Sequence, residues 1–230
     1  MIAIICAMDK EFIEVTELMR TRKYENFCYF KIAYGKIGNK DCIVALCGVG
    51  KVHAAICTQS IIMRFHPEII LNVGVAGAID ETLNVGDTVV ADYLIQHDFD
   101  ISAFPNRKKG EISGINLVAI ETTKWIRNEI FKCTSSVFEN NSFVGTILTG
   151  DQFINSKEKL KDLKNCFGGL ACEMEAGSIA QTCYLGKVPF AVIRTISDKA
   201  DSHSETDFYS FLEKSSKNAA RLLKAFIESI

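Results

Sequence analysis

The chain has 230 residues, 26 basic and 28 acidic side chains, a formal net charge of -2 and 48% hydrophobic residues. That length can bury a substantial core in one large domain, and the mixed charge offers neither a polybasic stripe for nucleic acid nor a basic amphipathic helix for a membrane, so the expected partner is a small molecule. Nine cysteines without a CxxC pair, and four scattered histidines (His53, His66, His97 and His203), lack disulfide or metal-ligand spacing and read as a reduced, cytosolic, metal-free chain.

The first apolar run, Ile2 to Ala7, has no preceding basic region and meets Asp9, Lys10 and Glu11 too early for a signal peptide. Its β-branched content predicts a central strand, after which Asp9 caps a helix to about Met19. Phe27 to Ile37 and Cys42 to Cys47, parted by Gly38, Asn39, Lys40 and Asp41, read as a hairpin. Gly48, Val49 and Gly50 open a helix whose Val52, Ala55, Ile56, Ile62 and Met63 fall largely on one face, and Pro67 closes that unit. A buried strand over Glu68 to Val73 runs into the small residues Gly74 to Ala78, which suit either a close backbone approach to a ligand or a tight turn.

Asp87 to Gln96 predicts a longer strand, and His97 to Phe104 leads into an exposed excursion over Pro105 to Gly110. A helix over Thr122 to Phe131 and a strand over Phe143 to Leu148 follow, the latter ending in Thr149, Gly150 and Asp151. Asn155 and Ser156 suit the cap of a helix over Lys157 to Leu163. After Pro189, the run Phe190 to Ile196 is a buried strand ending in Ser197 and Asp198. A last helix begins near Glu205, with Phe208, Phe211, Leu212, Ala219, Leu222 and Phe226 at helical spacing as a core stripe. The alternation predicts a single α/β domain over residues 1–230, a central mixed β-sheet flanked by helices, with ligands at the carboxyl ends of the strands.

Three carboxylates and Asp198 fall where such a ligand would sit. Asp198 follows an apolar strand and reads equally as a buried, protonated general acid or as a helix cap. Glu173 and Glu175 share a face if their segment is extended and diverge if it is helical; taken alone, pairing with a helix N-terminus is the simpler reading. Glu11 lies one helical turn beyond the first strand, where most glutamates are solvated. One carboxyl to protonate a leaving group and another to activate water are nonetheless what inverting glycosidic hydrolysis requires.

Seven stretches, IICAMDKEF, CGVGKVHAA, NVGVAGAI, HDFDISAF, TGDQFI, CEMEAGSIA and RTISDKAD, run in order from Ile4 to Asp201. Together they make the chain resemble the 5'-methylthioadenosine/S-adenosylhomocysteine nucleosidases of the purine nucleoside phosphorylase and nucleosidase superfamily. The resemblance implies a nucleoside phosphorylase-like fold and a cytoplasmic, cofactor-free homodimeric hydrolase of adenine thionucleosides, acting in methionine salvage. It implies that Asp198 protonates adenine N7, that Glu11 activates water and that Arg194 lies near that water. Glu175 and Met174 would hold ribose hydroxyls, with Glu173 and Ser197 beside them and Met8 lining the sugar pocket. The backbone at Phe153 and Ile154 would read the adenine edge, Phe208 would pack on the ligand, and Val49 would wall the 5' substituent. Ile101 and Phe104 would reach the neighbouring subunit's pocket. Val75 departs from the family's usual serine, which bears on how water is held. A nucleoside phosphorylase, a 6-amino-6-deoxyfutalosine nucleosidase and a non-catalytic nucleoside-binding protein are the competing readings.

Overall fold

A computed structural model of the chain describes residues 1–137, 141–200 and 204–230, without the side chains of residues 204–208. Strand β1 (Ile2–Cys6) is buried along its whole length. Its side chains alternate between two cores, with Ala3 and Ile5 in one and Ile2, Ile4 and Cys6 in the other. Burial on both faces marks a strand covered by helices on either side. Each wholly buried isoleucine there contributes about 1.5–3 kcal/mol.

Helix α1 (Asp9–Glu17) follows with Met8, not Asp9, at the N-cap. The charged stretch β2 (Arg20–Phe27) pairs antiparallel with β3 (Phe30–Ile37), and β3 with β4 (Lys40–Leu46). The predicted hairpin is therefore β3 and β4, and β2 adds an exposed outer strand that no apolar pattern announces. Apart from Glu25 and Phe27, which are half-buried, its side chains are exposed, so the backbone ladder to β3 rather than burial defines most of it. Helix α2 (Lys51–Phe65) packs Ala54, Cys57, Thr58 and Ile61 inward. The stripe seen in the sequence divides: Val52, Ile56 and Met63 point outward, at 66%, 53% and 68% exposed, while Ile62 packs against the core.

Strand β5 (Ile69–Ala78) continues through the small residues that the sequence ends at Val73. It is joined by β6 (Thr88–Gln96), β7 (Ala119–Glu121), β8 (Ser142–Thr149), β9 (Ala171–Glu173) and β10 (Phe190–Asp198). The helices between them are α3 (Lys124–Val137), α4 (Lys157–Phe167) and α5 (Ala176–Gly186), and α6 (Ser204–Ser229) ends the chain. The ladder runs β10-β6-β8-β9-β5-β1-β4-β3-β2, and β10 also pairs with β5. Thus β5, β10, β6, β8 and β9 close into a ring that mixes parallel and antiparallel pairs. Glu173 ends β9 and Asp198 ends β10, and both border one recess beside Gly77 of β5, while Thr149 ends β8 next to Glu173. The expected single α/β unit with a mixed sheet and flanking helices is borne out. No helix among the described residues is long and apolar enough to cross a membrane.

Candidate active site

A cleft of about 360 Å³ opens between α1, β5, β9, β10 and α6, with Met8, Glu11, Val75, Glu175 and Arg194 in its wall. A smaller recess of about 30 Å³ continues past Phe153, Met174 and Gly77 to Ile154 and Asp198.

Glu11 stands at the third position of α1, where a glutamate side chain can turn back onto the helix start. Its Oε2 accepts from Ala7 N at 2.9 Å and Met8 N at 3.0 Å, and its Oε1 from Val75 N at 3.2 Å. Gly74 makes that approach possible, since a Cβ there would lie 2.6 Å from Oε1. Glu11 is therefore not the solvated glutamate that its position suggests. It is buried, and burial raises its pKa against the opposing pull of Arg194 and these backbone donors.

Arg194, also fully buried, points from β10 into a polar chain across the sheet. Its Nη2 donates to Asn72 Oδ1 at 2.5 Å and to Glu173 Oε2 at 2.6 Å, and Asn72 Nδ2 donates to Ile5 O at 3.0 Å. Glu173 Oε2 also accepts from Glu175 N at 3.0 Å and Ala176 N at 2.8 Å, while Oε1 receives the Thr149 hydroxyl. Glu173 thus ends an extended strand and Glu175 is the N-cap residue of α5, so the two carboxyls take different directions although both border the cleft.

Glu175 Oε1 accepts from Gly50 N, at the start of α2, at 2.8 Å. Burial first, and the nearby Glu173 charge second, push its pKa up to about 8. Asp198 is buried at the end of β10. Ser197 Oγ donates to its Oδ2 and Ala200 N to its Oδ1, both at 2.8 Å. A Cβ on Gly77 would come within 2.9 Å of Oδ1. The cap-like contact read as the alternative for Asp198 is therefore present, and the carboxyl still borders the recess.

Met8, Met174 and Phe153 line the cleft as expected, as does Val49, which is half exposed. Ile154 lines only the recess, and Ser197 lines neither cavity, its hydroxyl being turned to Asp198 and Ala76 O. Ile101 and Phe104 lie outside both, and Phe104 is 67% exposed. The Phe208 side chain lies outside the described residues. Tyr209, next to it, borders the cleft, and helical spacing alone does not choose between the two. Cys172, a small apolar residue in the sequence, also lines the wall. Among the described residues no cluster of His, Cys, Asp and Glu could hold a metal ion.

The family model "Phosphorylase superfamily" matches residues 1–228. A 5'-methylthioadenosine/S-adenosylhomocysteine nucleosidase of Staphylococcus epidermidis is 36% identical over 234 residues, covering 100% of both chains. The same-named nucleosidase of Neisseria meningitidis, solved in complex with methylthio-immucillin-A, superposes with a TM-score of 0.96 at 31% identity, over 100% of this chain and 99% of that one. A futalosine hydrolase of Helicobacter pylori reaches 0.95 at 34% identity, over 100% and 97%. The chain belongs to the phosphorylase superfamily and, within it, to the family of 5'-methylthioadenosine/S-adenosylhomocysteine nucleosidases.

Proposed function

We propose that the chain hydrolyses the N-glycosidic bond of 5'-methylthioadenosine and S-adenosylhomocysteine, releasing adenine and the thio-sugar. The observation that carries this reading is the convergence of buried Glu11, Glu175, Arg194 and Asp198 on one cleft and its recess, in a chain that matches nucleosidases over its full length.

Breaking the bond moves electrons onto the purine and leaves positive charge on the sugar ring. In this reading Asp198, at the recess, delivers a proton to adenine N7. Glu11 takes a proton from water as it attacks the far face of the sugar carbon. Its raised pKa suits that task, because a base is most useful when its pKa lies near the working pH. Arg194 keeps compensating charge beside these carboxylates. Glu175 accepts from the ribose hydroxyls, with Met174 and Met8 packing on the sugar and Val49 on the 5' substituent. Ser197 holds Asp198 and touches no substrate. Phe153 and Ile154 flank the adenine. The residues need no cofactor for these steps.

Val75 presents no hydroxyl to the cleft, whereas a bound phosphate needs charge-assisted donors. Water is therefore the acceptor. Adenine release from methylthioadenosine by the purified chain in phosphate-free buffer, with free thio-sugar as the second product, is the test. A strict phosphate requirement with sugar 1-phosphate would make the chain a phosphorylase, and preference for 6-amino-6-deoxyfutalosine would move its substrate.

The homodimer belongs to the same proposal. The outward face of α2 carries Val52, Ile56 and Met63, an apolar stripe that a second copy would cover. Lys51 Nζ binds Asp98 Oδ1 at 2.6 Å, which draws the 97–104 segment to the same end of α2. Ile101 and Phe104, outside their own cleft, would then be available to the neighbour's. A cytoplasmic place and a role in methionine salvage follow from the substrate class, together with nine free cysteines.

A further inference from the structure

Helix α5 begins at the residue that the hydrolase reading needs most. The first N–H groups of any helix lack intrahelical partners, and the N-cap side chain ordinarily supplies one. Here the N-cap is Glu175, and its side chain makes no hydrogen bond to its own helix. The carboxyl turns instead to Gly50 N and the cleft. Two other residues meet the helix's need. Glu173 Oε2 accepts from Glu175 N at 3.0 Å and Ala176 N at 2.8 Å, and Thr149 Oγ1 accepts from Gly177 N at 2.7 Å. The Thr149 hydroxyl then donates to Glu173 Oε1, so the pair is locked together at the ends of two neighbouring strands.

The fit is close. A Cβ on Gly177 would stand 2.9 Å from both Cβ and Oγ1 of Thr149, so only glycine lets the hydroxyl meet that amide. Both capping residues are buried, Thr149 completely. Bound in this way from four sides, by Thr149, Arg194 and two amides, the Glu173 carboxylate has little capacity left for substrate although it borders the cleft.

We propose that Thr149 and Glu173 are positioning residues that cap α5 in place of its own N-cap, leaving the Glu175 carboxyl free for the ligand. Without them the first amides of α5 are orphaned, and the N-cap side chain, here Glu175, is the group that ordinarily meets that need. Its carboxyl would be drawn back from the ribose. Glu173, expected from the sequence to contact substrate, acts instead through Glu175 and Arg194. This proposal rests on the assignment of Glu175 to the sugar.

The test is a double-mutant cycle between Thr149→Val and Glu175→Gln, read both in kcat/KM for adenine release and in the dissociation constant of methylthio-immucillin-A. Valine keeps the shape of threonine and removes both hydrogen bonds. In the wild-type background Thr149→Val should lower kcat/KM about 10- to 100-fold and weaken binding of the inhibitor, as expected for a buried pair left unmade. In the Glu175→Gln background it should cost much less, because the carboxyl it protects is gone. Thr149→Ser, which keeps the hydroxyl, should restore both values, and Gly177→Ala, which pushes Thr149 away, should copy Thr149→Val. Equal losses from Thr149→Val in both backgrounds, with the fold intact by circular dichroism, would overturn the positioning role. Inhibitor binding that follows the cycle without any adenine release by the unmodified chain would remove the hydrolase reading and uphold the capping role.

Discussion

Gly74→Ala tests the base more sharply than removing Glu11 itself, because it deletes no functional group and shifts only one. The added methyl would lie 2.6 Å from Glu11 Oε1, 3.2 Å from its Cδ and 3.5 Å from Arg194 Cζ. The first of these is far inside van der Waals contact, so one side must yield. The methyl sits on β5, which is paired with β1 and β10, and cannot retreat. Arg194 is held by Asn72, Glu173 and Ile193 O. Glu11 must therefore move by most of an ångström. It cannot swing away freely, since three backbone donors hold it and each such bond to a charged acceptor is worth about 1.5–3 kcal/mol. The expected result is a displaced but retained carboxyl, and misplacement by about 1 Å costs about 10²-fold in rate. Asp198 and Glu175 are untouched, so the loss should fall on kcat with KM little changed. Steady-state adenine release, with the fold checked by circular dichroism, measures this. A Gly74→Ala enzyme turning over at the wild-type rate would show that the placement of Glu11 does not matter, and the assignment of the base would fall.

Asp198→Asn should keep the fold and lose about 10²- to 10⁴-fold in turnover, the usual worth of a general acid, as measured by adenine release; near wild-type turnover would place the acid elsewhere. The raised pKa of Glu175 also makes stability depend on pH. The folded chain binds this proton more tightly than the unfolded one, so the contribution is complete below the ordinary value of 4.5 and lost as pH rises through about 8. Urea unfolding of the ligand-free protein across that window should show falling stability, and Glu175→Gln should flatten the fall without abolishing it, because Glu11 is shifted in the same direction. A profile unchanged by Glu175→Gln would contradict the shift. Light scattering should give a dimer, and Met63→Glu on the outer face of α2 should move it toward monomer; a wild-type monomer with full activity would remove the proposed interface.

Much of the frame was legible because it is local. The apolar runs at Ile2 to Ala7 and Phe190 to Ile196 follow from side-chain type and turn residues, which act within a few positions along the chain. Elements failed to show where the pattern lacked a burial signal. The charged run Arg20 to Phe27 is a strand through its ladder to β3, and Gly74 to Ala78 extends β5 because β10 and β9 pair with it. The stripe on α2 was visible, but periodicity finds a face without saying what covers it.

Motif order along the chain determined which family this is and which carboxylates deserved attention. The tertiary structure alone decided what each carboxylate faces. Glu175 meets Gly50 across 125 positions and Arg194 meets Asn72 across 122, contacts that no local pattern encodes. Glu173 and Glu175 differ for the same reason. Their spacing left open whether they would share a face, and the answer depended on where β9 stops and α5 starts. That boundary is set by the capping of α5 from Thr149, 28 positions before Gly177. Secondary structure follows from neighbours in sequence, but the direction and pKa of a buried acid follow from neighbours in space, and only the closed ring of strands brings those together.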